Sequence, residues 1–161
     1  MRREGSSKFG KNHKWGNFPS ASAGWNVMNE EFWKGLSISN WWNELKLRAG
    51  YGVTGVIPSS SYQALTRYDF GGGRYFYNNG KWVPGMVVAS NPNPDLKWET
   101  SHEINVGIDW DMFNGRFGGS VDVYNKTTKD MLWWYDVPVP PNLYPQTLAN
   151  VGKMRNTGVE L

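Results

Sequence analysis

Three observations in the sequence predict an all-β fold: antiparallel, up-and-down strands laid out as part of a transmembrane β-barrel wall, with long loops at one end. Residues 97–112 alternate between apolar and polar positions. An Asn-Gly turn follows and aligns the next alternating run so that apolar meets apolar. The connections between strands alternate between short and long.

Composition agrees with strands. Of 161 residues, 16% are aromatic, with 10 Trp, and 19 are Gly, a balance that favours pleated structure and turns over helices. The mean hydropathy of −0.60 is that of a water-soluble chain, but averaging conceals a lipid-facing half when apolar and polar residues alternate. No run of about 18 apolar residues occurs, so no membrane-crossing helix is expected. Met1 is followed by Arg2, Arg3, Glu4 and Gly5 with no apolar segment behind them, so a cleavable leader is not expected within these residues. With no Cys and 2 His, neither a disulfide framework, thiol catalysis nor a zinc site is expected. The net charge of +3 comes from scattered basic residues, which make no footprint for nucleic acid.

In chain order, the first strand is Gly16–Val27. Ala21, Ala23, Trp25 and Val27 fall on one side, and Pro19 marks a strand end or bulge. Residues 29–43 could hold a short helical turn with Asn29 as its N-cap. Glu44–Thr54 is the second strand, with Leu45, Leu47, Ala49, Tyr51 and Val53 opposite Lys46, Arg48, Gly50, Gly52 and Thr54. A long loop, Gly55–Leu96, follows. The third strand is Lys97–Met112. Its apolar set is Trp98, Thr100, His102, Ile104, Val106, Ile108, Trp110 and Met112; its polar set includes Glu99, Ser101, Glu103, Asn105, Asp109 and Asp111. Period two separates these sets and helical spacing would mix them.

Asn114 and Gly115 both tolerate the positive φ of a type I′ turn. Taking them as a two-residue loop sets Phe113 against Arg116. The pairs that follow are Met112 with Phe117, Trp110 with Gly119, Ile108 with Val121, Val106 with Val123, Asp109 with Ser120, Gly107 with Asp122 and Glu103 with Lys126. Apolar residues meet apolar ones and an acid meets a base, which a one-residue slip would destroy. Gly119 leaves room for the Trp110 indole. A second long loop is expected from about Lys129 to Asn156, and a last strand from near Thr157. The result is about five strands, short of the roughly eight that close the smallest bacterial barrel.

Candidate chemistry is sparse. Asp109, Asp111, Glu99 and Glu103 share a face, but a polar, water-filled lumen wall explains them better than a hydrolytic carboxylate pair. His13 and His102 lack metal-ligand spacing. Gly71-Gly72-Gly73 has no Lys-Ser/Thr behind it and reads as a flexible loop tip, not a phosphate cradle. No cofactor is expected. Tyr62, Tyr68, Phe70, Tyr75, Phe76, Tyr77 and Trp82 crowd the Gly55–Leu96 loop. The expectation is that they pack the loop onto itself or onto a partner. The alternative is contact with a ligand through Tyr62, Tyr68, Tyr75, Tyr77 and Trp82. Trp15, Trp25, Trp98, Trp110 and the Trp133-Trp134-Tyr135 cluster suit an interfacial aromatic girdle. A soluble, aromatic-rich carbohydrate-binding β-sandwich is the rival architecture.

Several strings carry a resemblance. They are Gly-Ser-Ser-Lys-Phe-Gly-Lys-Asn-His-Lys-Trp-Gly (5–16), Phe-Pro-Ser-Ala-Ser-Ala-Gly-Trp (18–25) and Leu-Lys-Leu-Arg-Ala-Gly-Tyr-Gly-Val-Thr-Gly (45–55), then Asn-Pro-Asp-Leu-Lys-Trp-Glu-Thr (93–100), Val-Asp-Val-Tyr-Asn-Lys-Thr-Thr-Lys-Asp-Met-Leu (121–132) and Asn-Val-Gly-Lys-Met-Arg-Asn-Thr-Gly-Val-Glu-Leu (150–161). In this order they resemble the C-terminal barrel half of the SusC/RagA family of TonB-dependent outer-membrane transporters. The resemblance implies a multi-pass barrel of about 22 strands with a plugged lumen, set in the lipid of the bacterial outer membrane and not an enzyme. It implies uptake of oligosaccharides or peptides with a SusD-like lipoprotein as lid and the TonB complex as energy source. Residues 1–161 are then expected to be a fragment of the barrel domain, without plug, signal peptide or closing strands, that forms wall and outer loops.

Overall fold

The computed structural model describes residues 1–37 and 41–161. Among the described residues, nine strands form three sheets. β1 (Arg2–Gly5) and β2 (Trp15–Phe18) make a small antiparallel ribbon. β3 (Ser20–Asn26), β4 (Trp42–Val56), β7 (Glu99–Met112), β8 (Phe117–Asp136) and β9 (Gln146–Glu160) make a five-stranded antiparallel sheet in that order. β5 (Arg67–Asn78) and β6 (Lys81–Ser90) make a second ribbon. The main sheet is the expected five-stranded meander, with the β5–β6 hairpin inserted between β4 and β7.

The register read from the sequence is the one found. Met112 pairs with Phe117, Trp110 with Gly119, Ile108 with Val121, Val106 with Val123, Asp109 with Ser120, Gly107 with Asp122 and Glu103 with Lys126. A Cβ on Gly119 would lie 3.0 Å from the Trp110 ring, so the glycine does make room for the indole. The turn itself differs from expectation. Ladder pairing stops at Met112 and Phe117, leaving residues 113–116 as the loop, and Phe113 joins Asn114 and Gly115 in the left-handed region. The neighbouring strand explains this. The Phe113 N–H donates to Trp41 O, the Asn114 N–H donates to Asn43 Oδ1, and Trp41 stacks on Phe113 at 6.3 Å.

Other boundaries move too. Pro19 has no N–H for a ladder, and it divides the first strand into β2 and β3, its carbonyl accepting from Val53 N at 2.9 Å. Residues 27–37 hold a 3-10 turn, Val27–Asn29, and one α-helical turn, α1 (Glu31–Lys34). Asn29 is not the cap. Asn26 caps the first through Oδ1 on Met28 N, and Glu30 is the N-cap residue of α1. Residues 38–40 of this connection lie outside the described set.

The two long loops are shorter than expected because strands run on through them. β8 and β9 continue to Asp136 and Gln146, so the connection expected at Lys129–Asn156 shrinks to residues 137–145. The continuation was hidden by bulges between Lys129, Met131 and Leu132, where Asp130 takes φ 55°. Each bulge breaks the period-two pattern that identifies a strand. Within Gly55–Leu96, the hairpin turn is Asn79-Gly80, both at positive φ between the paired Asn78 and Lys81. The Gly71–Gly73 run is not a loop tip. It lies inside β5 as a bulge opposite Gly85, with Gly71 and Gly73 at φ 87° and 75°.

The sheet is a single layer. No second sheet faces it among the described residues, so the β-sandwich is not the architecture. The accessible surface of the chain is 11387 Å², against about 8,100 Å² for a compact monomer of the same mass. The buried cluster lies where the long connections emerge. Phe9, Phe18, Val53, Ala64, Leu96, Trp98 and Leu148 pack together, with the Trp98 ring 4.9 Å from Phe9 and 5.1 Å from Phe18.

Three asparagines bind that end into one unit. Segment 91–97 contains Pro92 and Pro94, which cannot donate to a ladder. Side-chain amides replace the missing bonds. Asn91 donates to Tyr144 O and Gln146 O and accepts from Tyr144 N. Asn93 donates to Leu148 O at 2.8 Å. Asn150 donates to Lys97 O and Asp130 O and accepts from Lys97 N. We expect Asn150→Leu to cost about 2–4 kcal/mol, from three lost bonds and the backbone groups left unpaired. The measurement is the denaturation midpoint of a folded barrel carrying this segment, and an unchanged midpoint would refute the stitching role.

Candidate functional site

The five strands give the wall two unlike faces. Cross-strand partners share a face, so the register yields rows. On the apolar face, Ala23, Ala49, Val106, Val123 and Val159 form one row, and Trp25, Leu47, Ile108 and Val121 another. Ile104, Val106 and Ile108 are 52%, 51% and 41% exposed. Apolar side chains in unbroken rows, with nothing among the described residues packed on them, suit a surface solvated by hydrocarbon.

The other face is polar and internally paired. Arg48 crosses β7 to reach two acids, its Nε 2.7 Å from Asp109 Oδ2 and its Nη2 2.9 Å from Asp122 Oδ2. Gly107 lies beneath the guanidinium, and a Cβ there would collide with both Arg48 and Asp122. The Glu103–Lys126 pair read from the turn is present at 3.8 Å. Ser101 and Thr128 share a buried hydrogen bond of 2.8 Å. Asp109, Asp122 and Glu103 are therefore held by cations across strands, while Glu99 accepts from the Leu132 N–H. Among the described residues no group of His, Asp and Glu is arranged to hold a metal. The Arg48 bridge was missed in the sequence, although Arg48 and Asp109 lay on the polar sets of adjacent strands.

The aromatic candidates divide. Tyr68, Tyr75, Tyr77 and Trp82 come together on one face of the β5–β6 ribbon, with Phe70 and Met86, since Phe70 pairs with Met86, Tyr75 with Pro84 and Tyr77 with Trp82. The bulge makes this possible. Phe70 and Tyr75 are an odd number of residues apart and would point to opposite sides of a regular strand. Four residues, 71–74, stand against Gly85 alone and restore the phase. Tyr68, Phe70, Tyr75, Tyr77 and Trp82 are between 59% and 69% exposed. Tyr77 and Trp82 touch edge to face at 5.3 Å across the hairpin, but the residues of this segment that enter the buried cluster are Ala64 and Leu96. Tyr62 stands apart, in a turn before the ribbon at φ 62°. Phe76 lies on the ribbon's other face.

The girdle residues divide as well. Trp25 and Trp110 end the apolar rows at the 113–116 turn, and Trp25 Nε1 donates to Glu30 Oε1. Trp98 belongs to the buried cluster, not to a girdle, with Nε1 donating to Lys14 O. Trp15 lies on the β1–β2 ribbon under Arg3, 4.9 Å from its guanidinium carbon. Trp133, Trp134 and Tyr135 lie exposed on β8 beyond the bulges.

Comparison with known proteins agrees with this geometry. A family model described as TonB dependent receptor-like, beta-barrel matches residues 1–161. The chain is 40% identical over 162 residues to TonB-dependent receptor P39 of Formosa agariphila, covering 100% of this chain and 14% of that protein. It is 35% identical over 163 residues to TonB-dependent receptor SusC of Bacteroides thetaiotaomicron, covering 99% of this chain and 16% of that protein. Its fold is similar to a chain of the RagAB peptide importer in the closed-closed state, with TM-score 0.76 and 32% identity over 96% of this chain and 16% of the other. The chain thus spans less than one-sixth or about one-sixth of the relatives it matches.

Arg48→Met should leave Asp109 and Asp122 facing each other without a counter-ion. We expect a lower denaturation midpoint in the intact barrel, with a loss about twofold larger at low salt than at 1 M, where screening is strong. Adding Asp109→Asn and Asp122→Asn should recover it. A midpoint that ignores both Arg48→Met and salt would remove the bridge from any account of the wall.

Proposed function

Since the chain belongs to the TonB-dependent receptor β-barrel family, we propose that it builds wall and outer connections for a nutrient channel whose plug and closing strands come from the rest of a longer protein. The chain is part of a SusC/RagA-type transporter of the bacterial outer membrane, and the family is one of transporters, not enzymes. The observation that carries the proposal is the two-faced single layer. One face has unbroken apolar rows for lipid, and the other has paired charges for a water-filled lumen. Its outer strands β3 and β9 each offer an unpaired edge, which in lipid must pair with further strands.

On this reading the 113–116 turn faces the periplasm, and the connections carrying the hairpin and the buried cluster face outward. The substrate class is oligosaccharides or peptides, the partner a SusD-like lipoprotein, and the energy source the TonB complex. Support for the first two comes from the names of two relatives' systems, SusC and the RagAB peptide importer. The ribbon face of Tyr68, Tyr75, Tyr77 and Trp82 is the contact surface for substrate or lipoprotein. Flat, exposed aromatic rings stack on sugar rings and peptide side chains alike.

Two outcomes are expected. Single cysteines introduced along β7 in a cysteine-free parent should alternate when probed from lipid and from water. Labels at 104, 106 and 108 should be reached by lipid-borne quenchers, and those at 103 and 105 by aqueous ones. Uniform aqueous access would sink the wall reading. Trp82→Ala and Tyr77→Ala should each weaken capture of lipoprotein or substrate about 10-fold, in line with the loss of one well-placed aromatic contact. Tyr62→Ala should do less. If Trp82→Ala and Tyr77→Ala leave both affinities unchanged, the ribbon is not the contact surface.

A further inference from the structure

We propose that Lys129, Lys153 and Arg155 form a binding site for the phosphate of a membrane lipid headgroup, on the outward face of the wall at the rim nearest the long connections. The proposal rests on the wall reading above and adds a specific ligand to it.

The register carries the proposal. Lys129 and Lys153 are direct cross-strand partners on β8 and β9, and Arg155 is two residues from Lys153 on the same face. Like charges placed directly opposite destabilise a sheet. All three side chains are exposed, and among the described residues none takes part in an ion pair. The nearest carboxylate in sequence, Asp130, is held by Lys97 at 3.0 Å. Across the regularly paired stretch of all five strands this face carries no Asp or Glu among the described residues, whereas Glu103, Asp109, Asp111 and Asp122 lie on the other. Three cations with no anion on their face among the described residues suit an external one.

Their height identifies it. The Arg155 row continues through Thr127 to His102. His102 is ten residues from Met112, about 34 Å along a strand, which at a tilt near 40° projects to roughly 26 Å. That matches the apolar band of an outer-membrane barrel, about 25 Å tall. On β8 and β9 the last apolar pair is Val123 with Val159, and the uncharged Asn125–Thr157 pair separates it from Arg155, so the charges begin just beyond the hydrocarbon. An anion at this level, continuous with acyl chains lying on Val123 and Val159, is a lipid phosphate. Arg155 is already oriented, with Nε donating to Asn125 Oδ1 at 3.1 Å, and a guanidinium with two ammonium groups suits a phosphate's several acceptor oxygens.

The test uses the full-length parent protein in detergent, with lipid adducts counted by native mass spectrometry. Dimyristoylphosphatidic acid is compared with dimyristoylglycerol, which has the same chains and no phosphate. The parent should prefer the phosphorylated lipid. Lys129→Gln with Lys153→Gln and Arg155→Gln should weaken that preference about 100-fold, each single change about 5-fold, and Lys126→Gln on the polar face not at all. Lys129→Glu, which gives Lys153 a cross-strand partner, should lose binding without loss of fold. Equal adduct formation by the parent and the triple variant would overturn the proposal. So would competition by inorganic phosphate as effective as that of the lipid, which would mark a free-anion site. Failure of the alternating label pattern along β7 would instead overturn the wall reading.

Discussion

In a single-layer sheet, strand register decides what each face meets, since a slip of one residue carries every side chain to the other side. Among the described residues no second layer exists to absorb an error. Register is held at both ends of the long β7–β8 ladder. At the turn, Asn43 brackets Asn114 while Trp41 O takes the Phe113 N–H. At the far end, Ser101 and Thr128 share a buried bond, and Glu99 accepts from the Leu132 N–H as the bulges begin. Between these points the apolar rows and the Arg48 bridge are consequences. Arg48 can span to Asp122 only because Gly107 occupies the intervening position on β7.

The two ends of the sheet solve different problems. Along the wall, neighbouring strands satisfy the backbone and two unlike media solvate the side chains, so no core is needed there. Beyond the wall, water surrounds every connection, and ordering a chain costs entropy that apolar burial must offset. Phe9, Phe18, Leu96, Trp98 and Leu148 provide that burial from four separate parts of the chain. Asn91, Asn93 and Asn150 supply hydrogen bonds where Pro92 and Pro94 remove them. The β5–β6 ribbon then projects from an anchored base, where Arg67 Nε donates to the deeply buried Ser90 Oγ.

Legibility followed regularity. Where period two was unbroken, as in 99–112 and 117–129, elements, faces and individual pairs could all be read. Where it was broken by glycines or a bulge, strands were taken for loops. The Gly71–Gly73 run and Asp130 each interrupt alternation without ending a strand, since a bulge keeps the partner strand in place while shifting phase. The Asn79-Gly80 turn carried the same signal as Asn114-Gly115, but its flanking residues alternate poorly because both faces of the hairpin bear aromatics. Trp98 looked like a girdle residue because it continues the apolar set of β7. Only the return of Phe9 and Phe18 over it, many residues away in sequence, makes it core.

Alone, the sequence determined the class of the protein, the main sheet and the identity of its two faces, because side-chain alternation and one turn are local properties of the chain. It also held the four aromatics of the ribbon as candidates without a shared surface. Tertiary structure decided what depends on distant segments meeting. That includes the span from Arg48 to Asp122, the asparagine stitches between residues 91–97 and β9, the phase shift that puts Phe70 and Tyr75 on one side, and the meeting of Lys129 with Lys153 and Arg155. Each needs a register or a contact across a gap in the alternating pattern, and local periodicity carries no information across such a gap.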